Sequence, residues 1–213
     1  MVGIGGSSCP NEFPPYLARE IYLKYCQSGA KILDPCAGWG GRLLGFYSTG
    51  LKGEYVATDP SSKTYSGLRN MLQFLKSADS IIHPDVMLHN QPFEDLAISG
   101  EYYDFAFTSP PYFDVEMYAN DESNQSHNRY QSYDVWCEGF LKPFINKTMG
   151  ALKPTGLFLV NVSDKVYPLE TSIRTICNDS YDVKKANFRL GVDGIGMRSS
   201  NAEDGERFIE IRK

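Results

Sequence analysis

The sequence predicts an α/β fold with a mostly parallel sheet covered by helices on both faces. Three observations carry that reading. Short apolar or aromatic runs alternate with segments whose apolar residues recur every three or four positions, the order of a chain that goes strand, helix, strand. Several runs close on a proline-bearing polar motif, Asp34-Pro35, Asp59-Pro60 and Ser109-Pro110-Pro111. The chain of 213 residues, 42% hydrophobic, suffices for one domain with a real core and leaves no room for a second large one.

Each element follows in order. Leu17, Ile21 and Tyr25 recur every four residues after Pro14 and Pro15, which predicts a helix with its prolines at or before the first turn, stopped by Gly29. Residues 31–33 form a short strand entering DPCAGWGGR, residues 34–42, and Leu43, Leu44, Phe46 and Tyr47 continue as a helix. Residues 54–58 read as the second strand. Leu68, Met71, Leu72 and Leu75 then share one stripe of a helix. A third strand falls near 86–89, a fourth, rich in aromatic residues, at 102–108, and a fifth at 157–162. Between the last two, residues 133–149 predict a helix with Trp136, Phe140 and Phe144 on one face and a kink at Pro143. Residues 183–190 and 207–212 close the chain as two strands joined by a glycine-rich loop. No internal repeat or linker interrupts this pattern, so residues 1–213 read as a single domain.

Composition excludes several classes. No run of about 18 apolar residues exists, and the amino terminus lacks the charged-then-apolar order of a secretory signal, which predicts a soluble intracellular protein with no membrane partner. The five cysteines, Cys9, Cys26, Cys36, Cys137 and Cys177, are scattered, with no CxxC pair and no histidine at metal-ligand spacing, so they read as reduced thiols and no metal is expected. The formal net charge of −5 is mild. A nucleic-acid ligand would therefore need positive potential gathered locally.

Ligands of open α/β sheets bind outside the carboxyl ends of the strands. The first strand ends in Asp34, followed by Cys36, Gly38, Trp39 and Gly40 before a helix, where glycine lets the backbone approach a ligand and the helix offers free N–H groups. The second ends at Asp59, either an acceptor for ribose hydroxyls or a cap for the helix that starts near Ser61. The third is followed by Gln91 and Phe93, either an adenine-facing pair or a turn with its aromatic ring in the core. The fourth runs into TSPPYF, residues 108–113. Two prolines there fix a rigid bracket that cannot continue the strand.

Taken together, DPCAGWGG, an acid closing the next strand and Ser109-Pro110-Pro111-Tyr112 closing the fourth resemble the S-adenosylmethionine-dependent DNA methyltransferases that modify exocyclic amino groups, N4 of cytosine or N6 of adenine. The resemblance runs over residues 13–165. It implies a Rossmann-like class I methyltransferase fold, a seven-stranded mostly parallel sheet with a C-terminal antiparallel hairpin, and S-adenosyl-L-methionine as cofactor. It further implies that Asp34, Cys36, Gly38, Trp39 and Gly40 line the cofactor, that Asp59 holds its ribose, that Gln91 and Phe93 flank its adenine, and that Ser109, Pro110, Pro111 and Tyr112 hold the target base. Serine at the head of the bracket resembles the cytosine class more than the adenine class. An RNA-directed enzyme and a non-catalytic cofactor-binding subunit remain open alternatives.

Phe is usual in the family where Cys36 stands and a small residue where Trp39 stands, which leaves the aromatic wall of the pocket to Trp39 or another residue. No separate target-recognition domain is evident. DNA recognition then falls to the polar stretch 114–131 and the loop 191–206, with Phe113, Arg129, Tyr130 and Arg198 as candidate contacts, or to a partner subunit or further domain.

Overall fold

The computed structural model describes residues 13–78, 84–114, 129–186 and 207–213. Seven strands form one sheet in the order β3-β2-β1-β4-β5-β7-β6. These are β1 (Ala30–Asp34), β2 (Gly53–Thr58), β3 (Asp85–His89), β4 (Tyr103–Thr108), β5 (Leu152–Val162), β6 (Asp182–Lys185) and β7 (Arg207–Arg212). β1 to β5 run parallel, while β7 lies antiparallel between β5 and β6. This is the sheet of the class I methyltransferase fold, as the sequence predicted.

Alternation along the strands divides the core. Ile32, Phe105, Phe107, Leu157 and Leu159 point to one face, where they meet α1 (Pro15–Tyr25), α2 (Gly41–Tyr47) and Leu68 of α3 (Ser62–Ala78). Leu33, Ala106, Phe158, Val160 and Val162 point to the other face, against α4 (Tyr133–Trp136), α5 (Lys142–Ala151) and α6 (Leu169–Cys177). Central parallel strands are buried on both sides, so they need apolar residues at successive positions rather than at every second one.

Two differences from the sequence reading have local causes. The kink expected at Pro143 is a π-helical turn, Cys137–Leu141, joining α4 to α5, with Pro143 in the first turn of α5. Proline has no N–H, so in a regular helix the Gly139 carbonyl, four residues earlier, would lack its donor. The Tyr130 hydroxyl supplies one at 2.7 Å. The second difference is α6, an element absent from the sequence reading. Leu169, Ile173 and Cys177 are its buried stripe at four-residue spacing. The strand expected over 183–190 is the four-residue β6, and residues 187–190 lie outside the described residues.

Candidate active site

The carboxyl ends of β1, β2 and β4 meet at one edge of the sheet, and the side chains there are tied together by hydrogen bonds. Asp34 is at the centre. It is fully buried and accepts from Arg42 Nε at 3.0 Å and Nη2 at 3.1 Å, from the Tyr55 hydroxyl at 2.8 Å and from Thr108 Oγ1 at 3.1 Å. A carboxylate so deep needs its charge matched and its lone pairs filled. Burial works against the charge on Arg42, but Asp34 outweighs it and holds the guanidinium above its ordinary pKa. Asp34 is therefore a strut rather than a cofactor-lining group. It ties the β1 loop to Thr108, the residue that precedes the proline bracket.

The loop after Asp34 is pinned twice more to the end of β2. Ala37 N donates to the Thr58 carbonyl at 2.8 Å, and Thr58 Oγ1 donates to the Pro35 carbonyl at 2.6 Å. Gly38 and Gly40 both have positive φ, +53° and +94°, but they serve different ends. A side chain at Gly38 would meet nothing, so its backbone faces open space that a ligand can approach. A Cβ on Gly40 would collide with Leu68 and Met71 of α3. Between them Trp39 stands 57% exposed, the one large aromatic ring of this loop. The Cys36 thiol is pushed well up by burial and then by the charge of Asp34, while the Cys36 carbonyl accepts from Arg42. A thiol held protonated in this way is no nucleophile.

Asp59 is held by backbone N–H groups on both sides. Its Oδ1 accepts from Ser61 N at 2.9 Å and its Oδ2 from Gly38 N at 3.1 Å, while the Ser61 hydroxyl caps α3 by accepting from Thr64 N at 3.3 Å. Asp59 thus braces the glycine loop from the end of β2. Asn90 bridges the ends of β2 and β3, donating to the carbonyls of Asp59 and Pro60 at 3.1 and 3.2 Å. Gln91 beside it is half-buried. Phe93 is not adenine-facing: it is 2% exposed, lies edge-on to Phe144 and carries Lys147 Nζ over its ring at 5.2 Å.

At the end of β4, Ser109 Oγ lies 3.1 Å from the Tyr112 hydroxyl, which donates to the Asn161 carbonyl of β5 at 3.4 Å. A carbonyl only accepts, so when Tyr112 donates there the Ser109 hydroxyl donates to Tyr112 in turn. The lone pairs of Ser109 Oγ are left as acceptors. Pro110 is buried, and Pro111 and Tyr112 are half-buried. Phe113, expected to touch substrate, is instead the bracket's anchor. It takes φ +57°, a region costly for a side chain with a Cβ, and buries its ring among Tyr133, Trp136 and Tyr167 at centroid distances of 6.1, 6.0 and 5.5 Å.

Of the recognition residues expected beyond the bracket, Arg129 is exposed and Tyr130 is half-buried, and both have partners within the chain. Arg129 Nη1 pairs with Glu94 Oε1 at 3.9 Å, and Tyr130 completes the π-helical turn. Arg198 and the whole 191–206 loop lie outside the described residues, as do residues 115–128 of the 114–131 stretch. Arg42, Tyr55 and Thr108 are the residues that sequence reasoning missed. An arginine in the first turn of the helix that follows a strand-end aspartate was the available signal.

No known protein family matches the chain by sequence, and no curated protein does. Solved structures match the fold. The protein PH0851 superposes with a TM-score of 0.66 at 15% identity over 95% of this chain, which spans 46% of that one. A methyltransferase from Pyrococcus furiosus gives a TM-score of 0.57 at 16% identity, covering 92% of this chain and 81% of that one. The magnesium protoporphyrin IX methyltransferase of Synechocystis, solved with bound S-adenosylmethionine, gives 0.58 at 15% identity, covering 92% and 76%. At these identities the likeness defines the fold. Among the described residues no helix is long and apolar enough to cross a membrane.

Proposed function

We propose that the chain transfers a methyl group from S-adenosylmethionine to the exocyclic amino group of a base in DNA, N4 of cytosine in preference to N6 of adenine. One observation carries the reading: the hydrogen-bond chain from Ser109 through Tyr112 to Asn161, which leaves a fixed acceptor at the head of the proline bracket. The Asp34 strut joins that bracket to a glycine loop whose Gly38 is open and braced by Asp59. The residues of this loop fit the cofactor. Gly38 gives room for backbone approach, Asp59 places a carboxylate at the end of β2 where the ribose hydroxyls would lie, and Trp39 presents an apolar ring on the same loop. When bound, S-adenosylmethionine would supply an electrophilic methyl group on a sulfonium sulfur.

An exocyclic amino group is a poor nucleophile because its lone pair is delocalised into the ring. Ser109 Oγ and the Pro110 carbonyl would each accept one N–H, drawing the nitrogen toward tetrahedral geometry and localising the lone pair. The prolines hold these acceptors in place before the base arrives, so little reorganisation accompanies the reaction. Tyr112 offers a ring face for the extruded base, a contact of about 1–3 kcal/mol. No covalent nucleophile is required. The surplus proton on the methylated nitrogen leaves to water.

The test is incubation with labelled S-adenosylmethionine and DNA, followed by digestion to nucleosides and mass spectrometry. The expected product is N4-methylcytosine. Label confined to RNA added in parallel would move the substrate to that class, and label in neither would overturn the reading.

A further inference from the structure

The loop between β5 and α6, residues 163–168, is built as rigidly as the bracket and is fastened to it. Ser163 Oγ accepts from Lys165 N at 3.4 Å, Asp164 Oδ1 caps α6 by accepting from Glu170 N at 2.7 Å, and Leu169 N donates to the Tyr167 carbonyl at 2.8 Å. Tyr167 is the latch. Its ring stacks on Tyr133 at 4.5 Å and 8°, packs edge-on against the Phe113 ring, and its hydroxyl donates to Asp114 Oδ1 at 2.8 Å. Tyr133 in turn is hydrogen-bonded to Ser172 of α6 at 3.0 Å. The loop is therefore tied to Phe113 and Asp114, at the end of the bracket, through Tyr167.

Two side chains at the apex of this fixed loop take no part in holding it. Val166 is 60% exposed. Lys165 is exposed and forms no ion pair among the described residues. A cation next to an exposed branched apolar group, presented on a braced loop beside a base pocket, has the chemistry of a duplex-opening element. Proteins that unstack a duplex insert apolar side chains between base steps, and removing a base from the stack costs a few kcal/mol that something must offset.

We propose that Val166 fills the gap left in the stack by the extruded base and that Lys165 pairs with a flanking phosphate. This rests on the reading of the site as a nucleic-acid methyltransferase and adds the element that admits duplex substrate to it. The latch through Tyr167 is what makes the arrangement effective, because the wedge and the base-holding bracket keep one fixed spacing.

The experiment compares methylation of a duplex plasmid with methylation of the same DNA after heat denaturation, using labelled S-adenosylmethionine. A single strand has no stack to open. Val166→Gly should lower the ratio of duplex to single-strand rate by about tenfold or more, and Val166→Leu should keep the ratio near wild type. Lys165→Ala should reduce the slope of log affinity against log salt for the duplex by about one. A Val166→Gly ratio equal to that of the wild type overturns the wedge, as does equal loss on both substrates, and an unchanged salt slope for Lys165→Ala overturns the phosphate contact. If the wild type methylates neither form, the parent reading has failed and the wedge goes with it; a wild type active on DNA separates the two outcomes.

Discussion

The two halves of the candidate site are held by opposite kinds of force. On one side the glycine loop, residues 34–41, is fixed by charge and hydrogen bonds: Asp34 takes three partners in the interior, and Asp59 takes two backbone N–H groups. On the other side, the proline bracket is fixed by proline stiffness and by one aromatic ring, Phe113, buried among three others. Ionic networks in the interior are all-or-none, because a lost partner leaves a charge stranded. Aromatic packing is graded, since a smaller side chain keeps part of the contact. Disturbing each half should therefore give a differently shaped response.

The largest effect is expected at Arg42. Arg42→Met strands the Asp34 carboxylate and should cost about 3–5 kcal/mol in urea unfolding, while the double variant with Asp34→Asn should recover part of that loss. A cost below about 1 kcal/mol would show that the strut is not held by charge. Next comes Ser109→Ala, expected to lower the single-turnover rate by about 10²–10³ while changing DNA affinity far less, if the loss of one oriented group resembles loss of an oxyanion donor. Equal losses in rate and affinity would make Ser109 a binding residue instead.

Phe113 tests the graded half. Phe113→Ala should destabilise by about 3 kcal/mol and Phe113→Leu by roughly half as much, a progression the Arg42 series should lack. Phe113→Gly should be no worse than Phe113→Ala, since φ +57° is free for glycine and costs about 1 kcal/mol for alanine. Thermal or urea midpoints decide this, and Gly falling well below Ala would remove the strain from the account. The smallest effect is expected at Asp59, where Asp59→Ala should weaken S-adenosylmethionine binding by about 1.5–3 kcal/mol in calorimetry. Because Asp59 also braces Gly38, a parallel unfolding measurement separates lost ligand contacts from a loosened loop.

The sequence made the strands and their ends legible where patterns are local. DPCAGWGG, Asp59-Pro60 and TSPPYF could be placed at strand ends by proline and glycine alone, and the resulting sheet is the observed one. Which way a side chain faces at those ends was not local. Phe93 and Phe113 follow or adjoin polar loops and read as contacts, but a turn in the backbone carries each ring into the core. Asp34 reads as a cofactor-lining acid because its partners, Arg42, Tyr55 and Thr108, come from three separate elements. α6 escaped because its apolar stripe is interrupted by Thr171, Ser172 and Thr175, which weaken helix propensity without preventing burial of Leu169, Ile173 and Cys177.

The position of β7 bears on how such a chain is made. It is the last strand in the sequence, yet it sits inside the sheet and pairs with β5 from Phe158–Ile211 through Val162–Arg207. Until it emerges, β5 presents an open edge over the run Leu157 to Val162, and the bracket's partner Asn161 lies on that edge. An unpaired apolar edge templates association with other chains. During synthesis, the strand that holds the bracket's partner is thus left open on that side until β7 has followed it.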